Sequence, residues 1–321
     1  MLLYNAVGDY RIIDEFWKTL RMPDEQKPLL NILISFPYLQ GQVSQLFKRL
    51  TEAPRKIDNL FLDAGTFTIN NKYGTTNPRI PSRFDEFSQY LKLYREHFSA
   101  IAAYDEDFDD PDLNMCLLTR LACKLGNTTE IQEYLLNRIV PTVHAPREEA
   151  VEEFKLLVDM GYRYIAIGSH PVIKEDQWKT MGSYMNVIKQ RDGVEIKRHL
   201  FGQLSFKTLK SLRPESADSS GFAKSAAYYV MKYWEDYGGS TSKEPELQNV
   251  QLIEDTVKRP GKMQMIQRKH KDFLLRTFGY HPDDLISNPD KRQIVNLYAV
   301  CQMQAWFNRP VQNTIPPVQS P

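Results

Sequence analysis

Three aspartates in this 321-residue chain stand where short apolar runs end. Asp63 closes the run in "FLDAGTFT" (61–68), and Asp105 closes "SAIAAYD" (99–105). Asp218 stands in "PESADSS", after the run "EIKRHLFG" (195–202) and a helix-like "LSFKTLKSL". A further run, "RIVPTVH", ends on His144, and another, "YRYIAIG", on Gly168. Grouped carboxylates suit a shared site, in which one kept protonated in a closed pocket can move a proton while another attacks as a nucleophile. Each position also has a structural use. A carboxylate at a strand end can accept backbone N–H groups in a turn or cap the next helix, and "DSSG" has turn composition. His144 reads equally well as a ligand for a substrate group and as a satisfied barrel histidine, and His199, inside its run, reads as structural. The acidic stretch "YDEDFDDPD" around Asp105 is open to a solvated-loop or cation-site reading too.

The elements that must carry these residues favour a shared site. The β-branched, apolar runs at 30–36, 58–65, 99–105, 138–144, 162–168 and 195–202 read as buried strands, separated by segments of helical spacing at 84–98, 113–126 and 146–161. In the last of these, Pro146 suits the first helical position, Glu148 and Glu149 the positive end of the dipole, and Gly161 the stop, with Val151, Phe154, Leu157 and Val158 as the apolar face. Alternating strands and helices with short connections imply a parallel sheet, and this many repeats favour a TIM-type (β/α)8 barrel over an open, doubly wound sheet. All strands of such a barrel point one way, so their C-terminal residues converge on one mouth. No clear eighth strand is visible among the runs.

Past about residue 203 the alternation weakens. The barrel is expected over residues 1–246, ending in the loop-like "YGGSTSKEPE", followed by a mainly helical, basic extension over 247–309 and a proline-rich tail over 310–321. Within the extension Lys258, Arg259, Lys262, Arg268, Lys269 and Lys271 fall inside fourteen residues. That density suits contacts to nucleic-acid phosphates, although charges spread around a helix are commonly a solvated face.

Composition excludes several classes. With 42% hydrophobic and 25% charged residues and a net charge of +1, the chain reads as a globular protein rather than a disordered or fibrous one. No apolar stretch is long enough for a membrane span, and early charges argue against a secretory signal, so a cytoplasmic location is expected. Cys116, Cys123 and Cys301 form neither a close metal-ligand pair nor a disulfide framework and are expected to be buried and reduced. Neither a metal nor another cofactor is expected.

The order of these segments resembles the tRNA-guanine transglycosylase superfamily, TIM barrels that exchange guanine for a 7-deazaguanine. The family's Asp-Ser-Gly-Gly-aromatic strand end is similar to "DAGTF" (63–67), its Phe-Asp-Glu to "YDE" (104–106), its base-facing Gly-Tyr strand to "GYRYIAIGS" (161–169), and its Arg-aliphatic-Met-Gly strand to "RHLFG" (198–202) followed by Asp218. The resemblance covers about residues 58–222. It departs from the family in three places: the zinc cysteines are missing, His144 stands where a glutamine is usual, and "SSGF" follows the nucleophile position.

Retention of the aspartates without the zinc module resembles the divergent branch, found in phages and bacterial DNA-modification clusters, that inserts 7-deazaguanines into DNA. The resemblance implies Asp218 as nucleophile, Asp63 as acid/base, and Asp105 as the residue holding the purine edge. Tyr104, Phe67, Gly168 and His144 would complete the base pocket. It implies DNA as substrate, with tRNA as the alternative, and a 7-deazaguanine such as a 7-cyano derivative as the incoming base. A helicase or ATPase that opens the duplex would be a further partner. A hydrolase on the same barrel and an inactive nucleic-acid binder are the remaining alternatives.

Overall fold

The computed structural model describes residues 1–7, 9–39, 56–66, 80–126, 128–145, 147, 149–169, 175–191, 195–235, 244–252 and 264–309. Eight parallel strands form its centre: β1 (Leu2–Ala6), β2 (Leu30–Ser35), β3 (Ile57–Asp63), β4 (Ala100–Ala102), β5 (Ile139–Val140 and Thr142–Ala145), β6 (Tyr164–Ser169), β7 (Lys197–Leu200) and β8 (Ser216–Ser219). β5 is in two pieces because Pro141 has no N–H to give to a ladder. Its first piece pairs with β4 and its second with β6, while β1 pairs with both β2 and β8. The sheet therefore closes on itself as a (β/α)8 barrel, as expected.

Two strands have no apolar run to mark them in the sequence, β8 and β1; the harder to see is β1. Its "LLYNA" is five residues at the very start of the numbering, with an asparagine inside it, and it lacks the long β-branched run of its neighbours. Period-two alternation nevertheless divides it like the others. Tyr4 joins Leu33, Phe61, Ala100, Ala102, Val140 and Ala166 in the barrel interior, with Leu2, Ala6, Tyr164 and Phe201 packed against them. The opposite parity, including Leu3, Ile32, Ile34, Leu60, Leu62, Ile101, Val143, Ile165, Ile167 and Leu200, packs into the layer shared with the helices.

The barrel helices are α1 (Tyr10–Thr19), α2 (Ile80–Tyr94), α3 (Pro111–Leu125), α4 (Thr129–Arg138), α5 (Ala150–Asp159), α6 (Glu175–Arg191), α7 (Phe206–Leu212) and α8 (Gly221–Ala227). Asp110 caps α3 by accepting from Leu113 N, and Pro111 occupies its first turn. α5 starts later than its sequence implies. Glu149 is its N-cap and Glu152 and Glu153 form its first turn, while Gly161 lies just beyond its end with φ +96°. Pro146 and Glu148 lie outside the described residues. Phe154, Leu157 and Val158 are buried as expected.

The C-terminal region is a mixed unit. A small sheet of β9 (Val230–Glu235), β10 (Glu246–Gln251) and β11 (Gln264–Met265) precedes α9 (Arg268–Thr277), α10 (Pro282–Ser287) and α11 (Pro289–Phe307). β9 and β10 pair antiparallel, with Glu235 opposite Glu246, so strands on either side of residue 246 belong to one sheet. α11 ties this region together from buried polar groups. Asn296 Nδ2 donates to the carbonyls of Phe222 and Val230, and Arg292 reaches those of Ala226, Leu285 and Ile286.

The same helix fastens the unit to the N-terminal end of the barrel. Gln304 Oε1 accepts from Leu3 N at 2.7 Å and from Asn31 Nδ2 at 2.6 Å, Asn59 donates to Asn31 at 2.8 Å, and Asn308 binds Met1. Arg21 N, just past the end of α1, donates to Thr277 O at 2.8 Å. Among the described residues no helix is long and apolar enough to cross a membrane. The cysteines depart from expectation: Cys116 and Cys123 are exposed on α3, whereas burial pushes the Cys301 thiol up to about 12.

Candidate active site

At the C-terminal mouth, strand parity turns Ser35, Asp63, His144, Gly168 and Asp218 inward, and register sets neighbours side by side: Ser35 faces Asp63, and His144 faces Gly168. Asp105 follows β4 by three residues. Its loop is held by Asn114, whose Oδ1 accepts from Glu106 N at 2.9 Å and whose Nδ2 donates to Asp107 O at 2.6 Å. The acidic stretch around Asp105 is thus an ordered βα loop, buried at Asp105 and exposed at Asp109, Asp110 and Asp112.

Asp63 is both a turn residue and a site residue. Its Oδ2 accepts from Ser35 Oγ at 2.6 Å, and its carboxylate takes the Gly65 backbone N–H. Gly65 has φ +80°, and a Cβ there would lie 2.4 Å from Pro37 Cδ, so the turn that presents Asp63 requires glycine. Desolvation nonetheless raises the Asp63 pKa against these hydrogen bonds, and the Asp218 charge raises it further.

Asp105 is more strongly affected. Burial holds its carboxyl well above the ordinary range; a hydrogen bond from Thr142 opposes this, while the charges of Glu153 and Asp63 add to it. His144 Nε2 lies 3.6 Å from Asp105 Oδ2, and the imidazole stacks on Phe108 with centroids 4.6 Å apart. Gly168 leaves room for that ring, since a Cβ at this position would stand 3.1 Å from Thr142 Cγ2 and 3.3 Å from His144 Cδ2. Beside it Arg147 donates through Nε to His144 O at 3.1 Å and binds Glu153 Oε2 at 2.5 Å.

Asp218 is 6% exposed and is held through one oxygen. Its Oδ1 accepts from Gly202 N at 3.1 Å and lies 3.2 Å from His199 Nε2. His199 is wholly buried, and its Nδ1 is 2.8 Å from Ser216 Oγ, which in turn bonds the Tyr164 hydroxyl. Phe61 and Phe201 pack on the imidazole with centroids at 4.8 and 4.5 Å.

The structure thus brings together Asp63, Asp105, Asp218, His144 and Gly168. It does not bring Tyr104 to them: that side chain is buried in the helix-facing layer, against Phe84 and Phe87 of α2. Phe67 lies outside the described residues, as do Lys258, Arg259 and Lys262. Arg268, Lys269 and Lys271 are on α9, in the unit fastened to the N-terminal end of the barrel, and Lys269 is paired with Glu235 at 3.0 Å. These cations are therefore on elements anchored to the end opposite the carboxylates. Sequence reasoning missed Ser35, Thr142, Phe108, Arg147 and Ser216. For Ser35, Thr142 and Ser216 the signal was available as inward parity on their strands.

No family model matches the chain, and no curated protein does. Among solved structures, the chain is similar to one from Coccidioides immitis assigned as a fructose-1,6-biphosphate aldolase, at 10% identity and TM-score 0.46 over 95% of this chain and 89% of that one. It is also similar to the YdjI aldolase from Escherichia coli K12, at 12% identity and TM-score 0.42 over 70% of this chain and 78% of that one. At these values the fold assignment rests on the strand order and closure.

Proposed function

We propose that the protein is an enzyme that exchanges a base at a glycosidic carbon, replacing guanine in DNA with a 7-deazaguanine derivative. The observation that carries this reading is the division of labour among three carboxylates at one mouth. Burial raises the pKa of both Asp63 and Asp105, while Asp218 is gripped through Oδ1 by donors. An acid, a hydrogen-bonding acid and an oriented nucleophile are the three groups such an exchange needs.

In the first displacement the Asp218 carboxylate attacks C1′ of the nucleotide. A C–O bond forms as the bond to the guanine nitrogen breaks, and the electron pair leaves with the base, which takes the proton of Asp63. The 7-deazaguanine then attacks C1′ with its ring nitrogen, losing its proton to Asp63 and restoring the Asp218 carboxylate. Two displacements retain the configuration of the sugar. Asp105, in its protonated form, can both donate to and accept from the purine edge, with His144 and the backbone at Gly168 facing the base substituent. A paired base would have to leave the stack to reach the mouth.

The test is incubation of the protein with guanine-containing single-stranded DNA, duplex DNA or unmodified tRNA, each with a panel of 7-deazaguanines including the 7-cyano base. Incorporation is read by nucleoside mass spectrometry. Incorporation into DNA, abolished by Asp218→Ala, is the expected result. Incorporation only into tRNA would replace the substrate, and guanine release without incorporation would replace exchange by hydrolysis.

A further inference from the structure

We propose that His199 is a positioning residue whose neutral, Nε2-protonated form is set by Ser216 and Tyr164, so that Oδ1 of Asp218 is held and Oδ2 is the attacking oxygen. The identity of the attacking oxygen rests on the base-exchange reading; the proton arrangement does not.

Protons can be counted along one hydrogen-bonded line, part-buried at its tyrosine end and buried beyond it: Tyr164 hydroxyl, Ser216 Oγ, His199 Nδ1, His199 Nε2, Asp218 Oδ1. A serine hydroxyl donates once, and a neutral imidazole donates from one nitrogen and accepts at the other. If Tyr164 donates to Ser216 and Ser216 donates to Nδ1, the imidazole proton is on Nε2 and points at Asp218. Every proton on the line then has an acceptor. Reversing the line, or placing protons on both ring nitrogens, makes Ser216 an acceptor from Nδ1, so that it either also accepts from Tyr164 and leaves its own proton without an acceptor among the described residues, or donates to the Tyr164 oxygen. In the latter case the Tyr164 O–H has no second acceptor among the described residues. Burial also raises the Tyr164 pKa, which keeps it a donor.

The consequence falls on Asp218. Oδ1 receives both His199 and the Gly202 N–H, whereas among the described residues Oδ2 receives no hydrogen bond. When Oδ2 takes the sugar carbon, Oδ1 becomes the ester carbonyl and keeps its two donors. They hold it when charge returns in the second displacement, so the site needs no rearrangement between the two steps. The cage of Phe61, Phe201 and Tyr4 around the ring fixes its orientation.

The experiment has two arms. In the first, ¹⁵N-histidine-labelled protein is assigned by difference with His199→Gln, and the expected spectrum has a neutral ring with the proton on Nε2. A proton on Nδ1, or on both nitrogens, overturns the proposal. In the second, label exchange of free guanine into guanine-containing single-stranded DNA is compared for His199→Phe and His199→Gln. The phenyl ring keeps the aromatic cage but cannot donate, so kcat is expected to fall about 10- to 100-fold with KM little changed. The glutamine amide can reach the Nε2 position and is expected to recover most of that loss. Equal kcat in wild type and His199→Phe overturns the proposal, as does a glutamine variant no better than the phenylalanine one. If wild type shows no exchange, the functional reading falls, and the spectrum alone still decides the protonation. If the phenylalanine variant does not fold, the spectrum and the glutamine variant decide it.

Discussion

Replacing Asp105 by Asn should make the protein more stable at neutral and alkaline pH while damaging the site. Asp105 is 8% exposed, and the hydrogen bond from Thr142 that favours its charge is outweighed by burial and by the charges of Glu153 and Asp63. The amide has nearly the same shape and still accepts from Thr142, so the substitution chiefly removes the cost of ionising a buried acid. Because the folded pKa lies above the unfolded value of about 3.9, the stability contributed by the protonated acid is complete below that unfolded value. It is lost as pH rises through the folded pKa. The advantage of Asp105→Asn should therefore be close to nil near pH 4, grow through the raised pKa, and level off above it.

A single stabilising replacement of this kind is worth about 0.5–2 kcal/mol. With an unfolding entropy of about 2.1 cal/mol/K per residue, 321 residues give about 0.7 kcal/mol/K. The expected rise in Tm is then about 1–3 °C at pH 8. The assay is far-UV circular dichroism melting of both proteins from pH 4 to 9 at one scan rate, since large proteins often unfold irreversibly. Asp63→Asn and the double variant belong in the same series. The two charges raise one another's cost, so the double gain should fall short of the sum. A variant that melts below wild type at pH 8, or whose gain does not change with pH, would refute the reasoning. Either result would mean that Asp105 is ionised and compensated in the folded protein.

Other substitutions probe the remaining parts of the mouth. Gly168→Ala inserts a Cβ 3.3 Å from the His144 ring; it should raise KM for the incoming base several-fold and change kcat less, measured by base exchange at varied base concentration. Ser35→Ala removes a hydrogen bond that lowers the Asp63 pKa, so the alkaline limb of the kcat profile, where Asp63 loses its proton, should move to higher pH. Gly65→Ala forces a methyl against Pro37 Cδ in a left-handed turn; it should cost about 1–3 kcal/mol in denaturant unfolding and lower kcat by displacing Asp63. At the other end, Gln304→Ala removes the acceptor shared by Leu3 N and Asn31. It should destabilise by about 1–3 kcal/mol and leave the kinetic constants near those of wild type.

The barrel and its carboxylates were legible in the sequence for one physical reason. Strands buried on both faces are written as unbroken apolar runs, and a carboxylate that ends such a run is conspicuous. β1 escaped because Asn5 interrupts a short strand, and β8 because "SADS" has turn composition although three of its residues are buried. The position of Arg268, Lys269 and Lys271 on α9 was not legible at all. Charge density along the chain says nothing about which end of the barrel a helix packs on, and that was decided by Gln304, Asn308 and Thr277 meeting the strand starts and the end of α1. Tyr104 shows a related limit. It is adjacent to Asp105 in sequence, but its side chain turns toward α2 and that of Asp105 toward Thr142.

His199 marks where residue-type reasoning and geometry part. A histidine inside an apolar strand reads as structural, and by burial it is: the ring is enclosed by Phe61, Phe201, Tyr4 and Tyr164. Yet its strand, β7, is paired to β8, and inward parity on both strands brings the two ring nitrogens to Ser216 and Asp218. The enclosure that makes the ring look inert also excludes water from both nitrogens and leaves Ser216 and Asp218 as their hydrogen-bond partners. A buried imidazole so constrained can hold a carboxylate in one orientation, and at this mouth the carboxylate so held is Asp218.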